Sequence, residues 1–313
     1  MSRRVLITGA AGYIGRQVAE QLLQQGLHVV GVDRQDNPDL SCPLQILDIR
    51  DQGLADLLAA EQITHVVHLA SIVSPGRDEA LEFDIDVNGT RNVLDACLAA
   101  KVQHITVLSS GAAYGYHADS PEWLSESDPL RGNDAFSYAK HKRLVEELLA
   151  QYRSEHPQLH QLILRPGTVL GATTNNMITK LFEGRKLLAI KGSASPFVFI
   201  WDQDLITIIA HGVGQDKTGI YNVAGDGALS IHELAGLIGK PVREVSASLL
   251  RSLLRVTHAL KLTTAGANHV LFLQYRPVLA NQALKEDFGY VPQKTSREAF
   301  LFYWQHAQQR LRA

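Results

Sequence analysis

Short apolar runs alternate with stretches whose apolar positions recur every three to four residues. Residues 4–7, 28–32, 45–47, 64–69, 105–108 and 162–164 read as strands. Between them, Ile14, Val18 and Leu22 share one helical face, and Leu54, Leu57 and Leu58 mark another. Residues 84–100, with Val87, Val93, Leu94 and Leu98, and residues 136–153 read as longer helices. Apolar strands separated by amphipathic helices predict a parallel sheet covered on both faces. Right-handed crossovers then make it a doubly wound α/β fold. Past about residue 170 the rhythm weakens. Strands at 197–200 and 220–223 mix with helices at 205–211, 231–238 and 249–260.

The first strand runs into Thr8-Gly9-Ala10-Ala11-Gly12-Tyr13-Ile14-Gly15, where the first helix begins. Strand, glycine turn and helix together suit a dinucleotide. The first glycine permits the turn, the second admits a pyrophosphate, and the third lets helix and strand pack closely. The free N–H groups of the helix start then face the anion. The glycines alone also fit an ordinary turn, so the later strand ends matter. Asp33 closes the second strand, where a carboxylate accepts from an adenosine ribose and favours NAD. Arg34 beside it suits the 2′-phosphate of NADP. Asp48-Ile49 closes the third strand, at the place of an adenine edge, and Leu69-Ala70-Ser71 closes the fourth with small residues that let a dinucleotide backbone pass. This organisation predicts a Rossmann dinucleotide-binding domain over 1–170. A smaller C-terminal α/β substrate lobe follows over 171–313, with some elements interleaved and a cleft between the two.

Composition narrows the class. The chain is 45% hydrophobic and 20% charged, with ample material for a core. A formal net charge of −2 carries no global footprint for nucleic acid or an anionic membrane, and the expected partner is a small molecule. No run approaches the ~18 apolar residues of a membrane span. A first strand starting at residue 4 leaves no room for a signal peptide, so a cytoplasmic protein is expected. Cys42 and Cys97 lack metal or redox spacing, read as packing residues, and no metal is expected. The leucine-rich stretch from Leu249 to Leu273, with Leu250, Leu253, Leu254, Leu260, Leu262 and Phe272, reads as helical core or a dimer face, or as a lid over an apolar substrate.

Tyr138-Ala139-Lys140-His141-Lys142 carries the chemistry. On a helix Tyr138 and Lys142 are i and i+4 and project from one face. A phenol is a poor base at neutral pH, and an ammonium beside it favours the phenolate. The pair then exchanges a proton with an alcohol as it becomes a ketone. Ser109-Ser110, after the fifth strand, offers a hydroxyl to the same substrate oxygen. A surface helix pair and a serine turn are the bland alternatives.

Taken in order, the glycine turn at 8–15, Asp33, Asp48, Asp86-Val87-Asn88-Gly89-Thr90, Ser109-Ser110 with Tyr114-Gly115, Tyr138/Lys142 and Arg165-Pro166-Gly167 resemble the extended short-chain dehydrogenase/reductase family, and within it the NAD-dependent epimerase/dehydratase branch. Asp204 and Tyr221-Asn222-Val223-Ala224-Gly225 are similar to its later segments. The resemblance implies Ser110, Tyr138 and Lys142 as the catalytic set, Asn88 supporting them from the long helix, and Pro166 flanking the nicotinamide. It also implies a homodimer through the helices near 90–100 and 136–153.

The reaction follows from absences. Gly111 and Ala112 stand where the dehydratases of this branch carry Asp-Glu, where decarboxylases place a glutamate (the second position) and where the fucose-synthase type has a cysteine (the first). Hydride chemistry alone remains. Asn176, in Asn175-Asn176-Met177, resembles the loop by which sugar-nucleotide epimerases hold a diphosphate. Ser195 stands where those enzymes place a diphosphate-binding arginine, and serine lacks that charged, bidentate grip. Arg276 offers a second phosphate ligand or a plain surface charge. The leading expectation is a sugar-nucleotide 4-epimerase-like enzyme. The alternatives are an NAD(P)-dependent reductase or dehydrogenase of a hydrophobic ketone or alcohol, and a non-catalytic nucleotide sensor.

Overall fold

The computed structural model describes residues 3–73, 76, 78–260, 266 and 269–312. Leu262 of the leucine-rich stretch lies outside them. In chain order the first half runs β1 (Arg4–Thr8), α1 (Tyr13–Gln24), β2 (His28–Asp33), β3 (Leu44–Ile46), α2 (Leu54–Ala60), β4 (His65–His68), α3 (Glu79–Phe83), α4 (Gly89–Ala99), β5 (His104–Leu108), α5 (Ser137–Glu155) and β6 (His160–Pro166). There follow β7 (Thr168–Leu170), α6 (Lys180–Glu183), β8 (Leu187–Ile190), β9 (Phe199–Trp201), α7 (Asp202–Gly214), β10 (Gly219–Val223), α8 (Ile231–Ile238), β11 (Val242–Val245), α9 (Ala247–Ala259), α10 (His269–Gln274) and α11 (Ser296–Arg312).

Seven parallel strands form the central sheet in the order β10-β6-β5-β4-β1-β2-β3. Strand order reverses on either side of β1, so a crevice opens at the C-terminal ends of β1 and β4, where such sheets bind ligands. Apolar residues of α2, α4 and α5 cover one face. Those of α1 and α7, with Phe288, cover the other. The doubly wound reading therefore holds. The chain re-enters the sheet after residue 170, because α7 packs on α1 and β10 pairs with β6 from Gly219↔Leu162 to Val223↔Pro166. Residues 202–223 thus belong to the sheet layer and not to the smaller lobe.

The lobe has its own core of aromatic rings, Phe182, Phe197, Phe199, Phe300 and Tyr303. Phe197 and Phe199 stack at 5.5 Å, and Phe300 stacks on Phe199 at 5.6 Å. Two short parallel pairs, β8–β11 and β7–β9, frame it. The long helix expected at 84–100 begins earlier. Asp78 caps it by accepting from Leu81 N–H, and a π-helical segment at Asp84–Asn88 joins α3 to α4. The extra residue per turn in that segment changes which side chains face the sheet.

Candidate active site

The glycine turn is built by contacts no side chain tolerates. Gly9 has φ +72°, and a Cβ there would lie 2.8 Å from Ala70 N. A Cβ on Gly15 would overlap the Gly9 carbonyl oxygen. Gly12 starts α1 with no side-chain cap, so the first N–H groups of that helix point outward unmet by a side chain. The Asp33 carboxylate holds the turn from below, accepting from Ala11 N–H at 3.0 Å and Gln35 N–H at 3.1 Å. The Tyr13 hydroxyl donates to Asp202 at the start of α7, tying the turn to the helix that packs beside α1 on the sheet. Burial, more than their mutual bond, pushes the Tyr13 phenol up.

One cleft of about 580 Å³ collects the predicted residues. Gly9, Gly12, Tyr13, Ile14, Gly15, Leu69 and Ser71 line its sheet side. Ser110, Tyr138, Lys142 and Pro166 line its middle, and Asn176 and Arg276 the wall of the lobe. Ser110 Oγ accepts from Ala112 N–H at 3.1 Å, which leaves its proton to donate. Lys142 is buried, donates to Leu108 O at 3.3 Å, and holds its Nζ 5.7 Å from the Tyr138 ring centre. Ser109, just past the end of β5, is taken into a buried network and donates to Glu146 at 2.5 Å.

Other predicted residues lie elsewhere. Ala70 packs its backbone against Gly9 and donates to Thr8 Oγ1 at 3.3 Å, behind the cleft. Arg34 is exposed and leans on Asp48 at 3.5 Å. Asp48 is gripped by Arg50 at 2.7 and 2.9 Å, a side-chain bond that holds its carboxyl below the usual range. The Ile49 side chain faces the core, against Gly89, and its carbonyl accepts from Asn92 at 2.7 Å. Ile49 therefore offers a dinucleotide no side chain.

The expectation for Asn88 fails. It is exposed and donates to Asp84 Oδ1 at 2.8 Å, away from the cleft. The π segment turns Asp86 inward instead. Asp86 is buried, accepts from Ile72 N–H at 2.9 Å, and brings Oδ2 to 3.6 Å from His141 Nδ1. Burial pushes the Asp86 carboxyl up, but His141, Lys142 and the Ile72 N–H outweigh it and hold the group below the ordinary carboxylate range. An acid two positions before Asn88 was the signal, readable only with the helix register in hand.

Arg276 is the second surprise. Its Nη1 donates to Ser195 O at 2.7 Å and Ser195 Oγ at 3.0 Å, and its guanidinium lies 3.7 Å over the Phe197 ring. Among the described residues it has no carboxylate partner within ion-pair reach, and its buried Nε has no acceptor. Burial pushes the guanidinium down to about 9. Ser195 is thus reached by an arginine from elsewhere in the chain. Asn176 has its carbonyl oxygen engaged by Ile178 and Thr179 N–H groups at 2.9 and 3.0 Å, so only its amide nitrogen remains for a ligand. Tyr116 and Phe136, not singled out from the sequence, and Phe272, of the leucine-rich stretch, pack edge to face at 5.2 and 5.5 Å and make the cleft's aromatic wall. No group of three or more metal ligands occurs among the described residues.

The profile of the NAD-dependent epimerase/dehydratase family matches residues 5–224. The chain belongs to this family. Its cofactor is NAD, and the glycine cradle, uncapped helix start and Asp33 are the residues present that fit it. Among relatives of this family member is the Yersinia pestis UDP-glucose 4-epimerase, 28% identical over 281 residues, or 82% of this chain and 81% of that one. Another is the Escherichia coli O157:H7 N-acetyl-alpha-D-glucosaminyl-diphospho-ditrans,octacis-undecaprenol 4-epimerase, 26% identical over 240 residues, 75% and 71% of the two chains. Among solved structures, the Bordetella bronchiseptica enzyme WbmG in complex with NAD and UDP is 20% identical, with a TM-score of 0.77 over 99% of this chain and 95% of that one. At that identity the likeness is one of fold.

Proposed function

We propose that the protein epimerises a secondary alcohol on a sugar carried by a diphosphate, as a sugar-nucleotide 4-epimerase does. The observation that carries this reading is Arg276, a guanidinium without a carboxylate on the wall of the same cleft as Ser110, Tyr138 and Lys142. A half-buried cation with no counter-ion among the described residues favours an anionic ligand, and a guanidinium matches phosphate oxygens. The relatives named above are, by their names, 4-epimerases of sugars on a diphosphate.

NAD, when bound, supplies the hydride acceptor and donor. Tyr138 takes the proton of the sugar hydroxyl as the carbon is oxidised and gives it back when the ketone is reduced from its other face. Lys142 places its ammonium 5.7 Å from the centre of that ring during the exchange. Ser110 donates to the substrate oxygen and keeps it by the phenol. Gly111 and Ala112 hold no acid to expel water, so the sequence stops at the alcohol.

The test is incubation of the purified protein with uridine diphosphate sugars deuterated at C4. Epimerisation keeps the label at C4 and builds up no NADH. Arg276→Gln should raise KM for the diphosphate at least about tenfold with kcat nearly kept, the loss of a charge-assisted contact of ~1.5–3 kcal/mol. Steady NADH production from an apolar alcohol, with no epimer formed, would favour the second reading instead. That reading, a reductase or dehydrogenase of a hydrophobic ketone or alcohol, is supported by the aromatic wall of Tyr116, Phe136 and Phe272.

A further inference from the structure

We propose that α9 docks on an anionic lipid surface, laying an apolar stripe into the boundary between headgroups and acyl chains. Leu249, Leu253, Val256 and Leu260 are 65%, 56%, 57% and 64% exposed. Steps of four, three and four residues put them on one line of the helix surface. At ~1.5 Å per residue the line is about 16 Å long. The helix is held from another side: Arg251 Nη2 donates to Gln274 Oε1 of α10 at 2.7 Å, and the Gln274 carbonyl accepts from Ser193 Oγ at 2.5 Å. The stripe is therefore a fixed outward face, and a row of large exposed apolar side chains marks an interaction site.

Charge selects the occupant. No aspartate or glutamate occurs between Glu244 and Glu286, whereas residues 247–261 carry Arg251, Arg255 and Lys261. The whole-chain charge of −2 conceals this local excess. Two copies of the chain meeting through α9 would bring this acid-free segment against itself, with no carboxylate to offset the exposed Arg255. An anionic bilayer attracts the same cations and accepts the leucines. A helix with leucines on one face and arginine on another is the form that lies in such an interface. No helix among the described residues is long and apolar enough to cross a membrane, so this contact is peripheral. Because α10 packs on α9, and Phe272 of α10 lines the cleft with Arg276, docking would bring the cleft's outer wall close to the bilayer. This inference is independent of the sugar-diphosphate reading.

The experiment is flotation of the full chain, without substrate, on vesicles of phosphatidylcholine containing one-third phosphatidylglycerol. The protein should float with these vesicles at low salt and at least about tenfold less with pure phosphatidylcholine. Leu249→Ser with Leu253→Ser should reduce flotation about tenfold per leucine while NAD binding and melting stay unchanged. Arg255→Gln, which leaves the stripe whole, should weaken flotation and its salt dependence. A wild-type protein that does not float, equal flotation on neutral vesicles, or serine variants that float as well as wild type would each overturn the proposal. So would a dimer in solution that the leucine substitutions dissolve, since that would give the face to a second copy.

Discussion

Replacing Glu146 by glutamine tests how the site is held. Glu146 and Arg165 form an ion pair at 2.6 Å with side chains only 3% and 4% exposed. The carboxylate also accepts from Arg165 Nε at 2.9 Å and from Ser109 Oγ at 2.5 Å. Arg165 Nη1 donates onward to the Tyr114 hydroxyl at 2.7 Å, whose proton is aimed at Asn222 Oδ1 and Ser125 O, each at 2.9 Å. One network therefore joins α5, β6, β10 and the turn after β5 that bears Ser110. Glutamine keeps the shape but removes the charge and strands a buried guanidinium, at a cost of ~3–5 kcal/mol. With an unfolding entropy of ~2.1 cal/mol/K per residue, a 313-residue chain should melt about 5–8 °C lower. Calorimetry of the two proteins without cofactor measures it. The double variant Glu146→Leu, Arg165→Met, which leaves no stranded charge, should recover most of the loss. Turnover of Glu146→Gln should also fall, because the turn carrying Ser110 loses its anchor. A melting point within about 1 °C of wild type, or a double variant no more stable than the single, would refute this account of a pair whose partners depend on each other.

Tyr138→Phe should lower turnover by at least ~10²-fold with NAD still bound, seen by rate assay and cofactor titration; undiminished turnover would remove Tyr138 from the chemistry. Asp33→Ala should weaken NAD more than NADP, because it removes both the acceptor for a ribose and the repulsion of a 2′-phosphate; binding isotherms that shift equally count against ribose recognition. His68 sits fully buried between Thr8 Oγ1 at 2.7 Å and Thr90 Oγ1 at 3.0 Å, and burial, with the Lys142 charge, pushes its imidazole down to about 4. Its unfolded value is near 6.5, so the stability it contributes is complete above pH 6.5 and is lost as pH falls toward 4, by about 3 kcal/mol. Burial lowers His65 and His104 in the same direction. Urea unfolding across that range should show the decline, and a flat profile would exclude a neutral buried His68.

Local pattern made much of this protein readable before any coordinates. The strands, the helix at 136–153, the glycine turn and the Tyr138/Lys142 face depend on neighbours within a few residues, where backbone geometry leaves little choice. Local pattern offered Ser109 and Ser110 together, and only the family resemblance singled out Ser110. The aromatic lobe was less legible: β8, β11 and α11 gain their stability from contacts with distant parts of the chain, which periodicity does not record. Asn88 and Asp86 differ by half a helical turn, and only the π segment decides which of them faces inward. Arg276 and Ser195 stand 81 residues apart and meet because the smaller lobe folds distant segments against one another. The linear chain thus determined which chemistry is present, through local geometry. Tertiary packing decided which charge reaches it, because a half-buried cation is placed by its surroundings and not by its neighbours in sequence.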